Sequence, residues 1–142
     1  MILLDTNVLS ELMRPAPEPT VVGWVEAQSS TSLFISAVTE AELRFGLALL
    51  RDGKRRDRLA QAIEGLLAED FGGRILPFDS PAAFAYARIA SKRRAAGLPI
   101  SQFDAQIASV AVSHNAILAT RNLGDFEACG VRLVNPWQSV QI

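Results

Sequence analysis

Short apolar runs alternating with helix-patterned stretches constrain this chain more than any other feature. MILL, LFIS, RILPF, AILAT and VRLV are too short to be buried helices and have the composition of buried strands. Between them apolar residues recur at helical spacing. TNVLSELM reads as a helix, stopped where Pro15, Pro17 and Pro19 exclude one. TVVGWVEAQ resumes as a helix with Thr20 as its N-cap. VTEAELRFGLALLRDG is a helix closed by Gly53, and RRDRLAQAIEGLLAEDFGG aligns Leu59, Ile63, Leu66 and Leu67 along one stripe. SPAAFAYARIASKRRAAG places Ser80 as N-cap, Pro81 at the first helical position and Gly97 after the end. SQFDAQIASVAVSHN and the short NLGDFEAC complete the helices. This alternation predicts an α/β domain: a mostly parallel sheet of about four to five short strands with helices on both faces.

The length of 142 residues fits a single domain spanning 1–142. With 49% of residues apolar, a chain of this size can bury roughly 70% of its surface without a metal or disulfide staple. One cysteine, Cys129, rules out an internal disulfide and suits a reducing compartment. No stretch approaches a membrane span and no basic segment precedes the apolar start, so a soluble cytoplasmic protein is expected. A net charge of −1 argues against holding nucleic acid by bulk electrostatics. Arg51, Lys54, Arg55, Arg56 and Arg58 cluster, as do Arg88, Lys92, Arg93 and Arg94; both groups read as solvated helix faces. No aromatic-and-basic platform for single strands is evident. LRFGLALL, Leu43 to Leu50, is apolar around more of its helix than one core face requires, which predicts a partner surface and a homodimer.

The acids are placed less randomly than the net charge implies. Asp5 follows the first strand directly, at the strand end where α/β sheets bind ligands. Glu42 shares a helical face with Val38, Ala41 and Phe45, which predicts that it points inward, whereas Glu40 can pair with Arg44 at the surface. Asp104 shares a face with Ile107, Ala108 and Ala111, and Asp125 follows the strand AILAT. Carboxylates on apolar faces are costly to bury unless paired, hydrogen-bonded or bound to metal. Arg121 is the nearest base in sequence. Four acids so placed predict a Mg²⁺ or Mn²⁺ site. Each also has a plainer explanation: an Asx turn for Asp5, snorkelling for Glu42, a capping box with Ser101 for Asp104, and a favourable helix-dipole contact for Asp125. Their joint pattern favours a site.

Other chemistries find no support. His114 is the one histidine, next to a helix C-terminus, so a two-histidine ribonuclease is excluded. Cys129 has no histidine near it in sequence and reads as a small packed residue. No P-loop is present. A receiver domain requires a lysine after a late strand, and a haloacid dehalogenase requires a second aspartate where this chain has Asn7.

LLDTNVLSEL, ISAVTEAELRFGL, ISQFDAQIAS and ATRNLGDF, taken together and in this order, resemble the four acidic motifs of PIN-domain nucleases. The match is closest to the toxin ribonucleases of bacterial toxin–antitoxin pairs, the VapC and FitB type, and runs from Met1 to Pro136. The resemblance implies a PIN fold and a metal-dependent endoribonuclease. It assigns acidic roles to Asp5, Glu42, Asp104 and Asp125, with Thr6, Asn7, Thr120 and Asn122 at the supporting polar positions. It also implies a small cognate antitoxin packed near the site, with RNA as substrate. Phe103 stands before the third acid where many relatives carry a small residue. With no histidine pair available, hydrolysis of RNA requires an ion that activates water, and a second ion could stabilise the leaving oxygen. Two further readings share these residues: a non-enzymatic binding module, and a structure-specific DNA nuclease.

Overall fold

The computed structural model describes residues 1–138. Five strands form one parallel sheet: β1 (Ile2–Leu4), β2 (Leu33–Ser36), β3 (Ile75–Leu76), β4 (Ile117–Ala119) and β5 (Arg132–Val134). Their order is β3-β2-β1-β4-β5, and every pairing is parallel. Six α-helices connect them: α1 (Thr6–Leu12), α2 (Pro19–Glu26), α3 (Ala37–Ala48), α4 (Lys54–Gly65), α5 (Ser80–Ala95) and α6 (Gln102–Ser113). The expected α/β architecture is present.

Period-two alternation divides the core into two layers. Leu3 and Leu118 point to the face covered by α5 and α6, with Ile89, Ile107, Val110 and Phe126. Leu4, Ile35 and Ala119 point to the other, with Val8, Leu9, Leu43, Ile63 and Leu67. The central strands are therefore buried on both sides, which explains their unbroken apolar runs. Winding goes outward from β1 in both directions, through β2 and β3 on one side and β4 and β5 on the other. The reversal lies at β1 and β4, and a crevice opens beyond their carboxyl ends.

Several helix boundaries differ from those read in the sequence. α2 begins at Pro19, whose fixed φ and missing N–H suit a first helical position, and Glu18 rather than Thr20 precedes it. Asp79, not Ser80, caps α5, accepting from the Ala82 amide at 3.2 Å; Ser80 is already helical and Pro81 follows it. α3 stops at Ala48, before Gly53. The NLGDFEAC helix is a 3₁₀ turn over Leu123–Phe126. Gly97 does end α5. At φ 73° it allows its own amide to reach Arg94 O and the Leu98 amide to reach Arg93 O, which is a Schellman closure. Asn115, at φ 51°, closes α6 in the same way after His114.

Phe126 is 1% exposed and anchors the 3₁₀ turn in the α5–α6 layer. Phe126→Ala is expected to cost about 3–5 kcal/mol in denaturant melts, because the emptied volume lies in a packed layer.

Candidate active site

Asp5 is buried at the end of β1, over the crevice. Its amide donates to Ala119 O across the sheet at 2.9 Å, which fixes its backbone against β4. Its carboxylate caps α1 by accepting from the Thr6 amide at 2.8 Å, so the Asx-type role expected of it alone is real. The other oxygen accepts from the Thr120 hydroxyl at 2.7 Å. Thr120 is itself fully buried just past β4. Its hydroxyl oxygen also accepts from the Asn122 amide at 3.1 Å and from Asn7 Nδ2 at 3.4 Å. Asp5, Asn7, Thr120 and Asn122 thus form one hydrogen-bonded unit. The side-chain oxygen of Asn7 is buried with no hydrogen-bond partner among the described residues.

Glu42 arrives from α3. The inward face expected for it is not the one observed: Ala41 and Phe45 are exposed, while Val38, Thr39 and Leu43 are buried. The helix is rotated so that Glu42 lies at the edge of the packed stripe, half-buried, where Thr6 Oγ1 donates to it at 2.7 Å. Thr6 Oγ1 also lies 3.0 Å from Thr39 Oγ1, which lies 3.4 Å from Ser36 Oγ. Glu40 pairs with Arg44 at 2.9 Å on the outside of α3, as its spacing predicted.

Asp104, half-buried, lies in the first turn of α6, where its amide donates to the Ser101 hydroxyl at 3.1 Å. The cap is thus made by the Ser101 side chain, and Asp104 itself lines the cleft. That cleft, about 520 Å³, is bounded by Asp5, Thr6, Asn7, Glu42, Asp104 and Asn122 together with Glu11, Arg14, Arg121 and Trp137. Asp125 does not line it. It is exposed on the 3₁₀ turn, close enough for its charge to raise the pKa of Asp104. Three of the four predicted acids therefore share one cleft, and the fourth stands beside it.

Electrostatics at the cleft are strained. Burial pushes the Asp5 carboxyl from 3.8 up to about 6, against the lowering effect of the Thr120 and Thr6 hydrogen bonds, with Asp104 and Glu42 adding repulsion. Burial also raises Asp104, opposed by the Ser101 hydroxyl and by the charge of Arg93. Among the described residues no three acidic, histidine or cysteine side chains already surround a common point as a closed ligand set.

Four features of the site were not assigned from the sequence. Glu11 is buried, accepts from Arg14 at 3.2 Å and from the Glu18 amide at 3.1 Å, and has its pKa lowered chiefly by that amide. Its position one turn after Asn7, among buried Val8 and Leu9, was the available signal. Thr39 and Ser36 carry no charge and gave none. Arg93, placed in a solvated cluster by its sequence, is 5% exposed and donates to Glu127 O at 2.7 Å and Pro99 O at 3.4 Å. It ties the 3₁₀-turn loop to the segment leading into α6. Arg121 lies over the Trp137 ring, 5.2 Å from its centroid.

The Asp5 shift sets a pH dependence. Its folded-state pKa lies above the unfolded value, so the folded form holds the proton more tightly. Stability therefore falls as pH rises from 3.8 to about 6, by about 1.4 kcal/mol per unit, and stays reduced above. In chelator, wild-type protein is expected to lose stability relative to Asp5→Asn as pH rises from about 4 to about 6. Parallel denaturant melts of the two proteins check this; a constant difference contradicts the strained carboxylate.

Known proteins resemble the chain over nearly its whole length. The family model for the PIN domain matches residues 2–129. The chain is 44% identical over 138 residues to the VapC ribonuclease Y4jK of Sinorhizobium fredii, covering 97% of this chain and 99% of that one. It is 45% identical over 137 residues to the toxin FitB of Neisseria gonorrhoeae, covering 96% and 99%. Among solved structures, FitAB bound to an IR36 DNA fragment superposes with a TM-score of 0.93 at 43% identity, over 99% of each chain. The chain belongs to the PIN domain family.

Proposed function

We propose that this chain is a metal-dependent endoribonuclease acting as the toxin of a type II toxin–antitoxin pair. The observation that carries the reading is the convergence of Asp5, Glu42 and Asp104 on one cleft, with Asp5 held at a pKa of about 6. Relatives named as a VapC ribonuclease and as the toxin FitB support the assignment. Among the described residues no helix is long and apolar enough to cross a membrane.

The donor chemistry fits Mg²⁺ or Mn²⁺. Every candidate ligand is oxygen, and the buried, unpartnered Asn7 oxygen adds a neutral donor beside the acids. Magnesium keeps several waters, so a closed all-protein cage is not required. Asp5 and Asp104 are the first candidates to hold the ion, Glu42 directly or through water, and Asp125 from the rim. Bound, the ion supplies the positive charge that makes water nucleophilic at neutral pH and neutralises the scissile phosphate. Thr120 and the Thr6 amide fix both oxygens of Asp5, while Thr6 and Asn122 position Glu42 and the β4 loop. In-line hydrolysis in such a site leaves 5′-phosphate and 3′-hydroxyl ends.

Partner surfaces support the same reading. Phe45 on α3 and Leu49 just past its end are 65% and 70% exposed, which suits a homodimer. A groove between α1, α3 and α4, lined by Leu47, Leu50, Leu59 and Arg58, runs up to Glu42 and suits an antitoxin segment. Exposed Phe103, next to Asp104, borders the approach for substrate.

Cleavage of RNA is expected with Mn²⁺ or Mg²⁺ and to stop in excess chelator; DNA cut in preference to RNA overturns the substrate. Asp104→Asn separates a ligand from a mere cap. Cleavage is expected to fall by more than the roughly 10- to 100-fold that loss of a ligand's supporting partner costs. The metal-free variant is expected to melt higher, as the cost of burial and the repulsion from Asp125 are relieved. A variant that melts lower and cuts normally makes Asp104 a cap alone.

A further inference from the structure

Arg121 and Trp137 are distant in sequence and joined by the sheet. Arg121 follows Thr120 off β4, and Trp137 comes soon after β5. Those strands pair with Ala119 opposite Val134, and the Thr120 amide donates to Val134 O at 2.9 Å. The turn carrying Trp137 is fixed in its own right. Its amide donates to Asn135 Oδ1 at 2.9 Å, the Gln138 amide to Asn135 O at 3.1 Å, and Pro136 is buried. One part of the half-buried indole packs on the α1–α4 layer, and the Arg121 guanidinium sits over its ring.

Both side chains line the wall of the cleft that holds Asp5, Glu42 and Asp104. The other arginine there, Arg14, is committed to Glu11 at 3.2 Å. None of the ion pairs among the described residues uses Arg121, and its side chain is exposed. The ring attracts the guanidinium at 5.2 Å, and although the charge of Arg121 is felt at Glu11, no hydrogen bond among the described residues uses its N–H donors. That pairing matches how single-stranded RNA is held: unstacked bases lie on aromatic rings or guanidinium planes, and the phosphate takes the N–H donors.

We propose that Arg121, supported by Trp137, is the platform that stacks an unpaired base and pairs a phosphate of single-stranded RNA next to the acid cleft. It makes Arg121 a substrate-contacting residue and Trp137 its positioning residue. The proposal rests on the ribonuclease reading of the cleft.

The test compares wild type, Arg121→Lys, Trp137→Phe and Trp137→Ala. Binding is measured for an adenine 12-mer RNA and for an abasic ribose-phosphate 12-mer, with Ca²⁺ in place of the activating ion. Arg121→Lys keeps the charge and loses the plane, so adenine RNA is expected to bind about tenfold more weakly while the abasic strand changes less than twofold. Trp137→Ala is expected to reproduce that selective loss, and Trp137→Phe to restore most of it. Cleavage should show the same loss in KM with kcat held within about twofold. Melts in chelator confirm that each variant is folded. Equal loss on both strands, or none on either, overturns the platform even where wild type cuts RNA. If wild type neither binds nor cuts either RNA, the ribonuclease reading fails and the platform with it.

Discussion

The hydrogen bond from Thr120 to Asp5 joins the two strands at which the sheet reverses its winding. Everything else at the cleft is placed relative to it. The parallel register of β1 and β4 sets Leu4 opposite Ala119, so the residue after each strand, Asp5 and Thr120, falls at the same height. A one-residue slip would turn Leu3 and Leu118 out of one layer and Leu4 and Ala119 out of the other, so the core that specifies the register also specifies the site. Acids are brought together here by apolar strands that have no chemistry of their own.

What was legible in the sequence follows from this. The five strands, a mostly parallel sheet and the acids Asp5, Glu42 and Asp104 that the fold brings to one cleft were visible because apolar runs and acids set against them are local signals. Helix rotation was not. The spacing of Val38, Ala41, Glu42 and Phe45 is a valid stripe, but α3 buries Val38, Thr39 and Leu43 instead, with Leu43 in the layer that holds Val8, Leu9 and Ile63. Caps misread by two residues at Thr20 and by one at Ser80 lie beside Pro19 and Pro81, which shift the first helical position. Arg93 and the Arg121–Trp137 pair were invisible for a different reason. Their partners are backbone carbonyls and a ring far along the chain, and sequence pattern carries no record of either.

Charge at the cleft is balanced locally rather than by count. Arg14 serves Glu11, Arg93 serves two loop carbonyls, and Arg44 serves Glu40 and Glu64. Asp5 is left with the repulsion of Asp104 and Glu42 acting on it. Such an arrangement stores repulsion in the folded chain that a cation relieves, so binding and folding stability are linked.

The hydroxyl row leading to Glu42 has a consequence of its own. Thr6 owns one hydroxyl proton, and both Glu42 at 2.7 Å and Thr39 Oγ1 at 3.0 Å lie where they can accept it. Thr39 Oγ1 is also the acceptor for Ser36 Oγ at 3.4 Å. A single proton is therefore shared between a carboxylate and a buried hydroxyl, and whatever draws on Glu42 decides which of them holds it. The carboxylate is anchored by a neutral donor that can let go of it without leaving a buried charge behind.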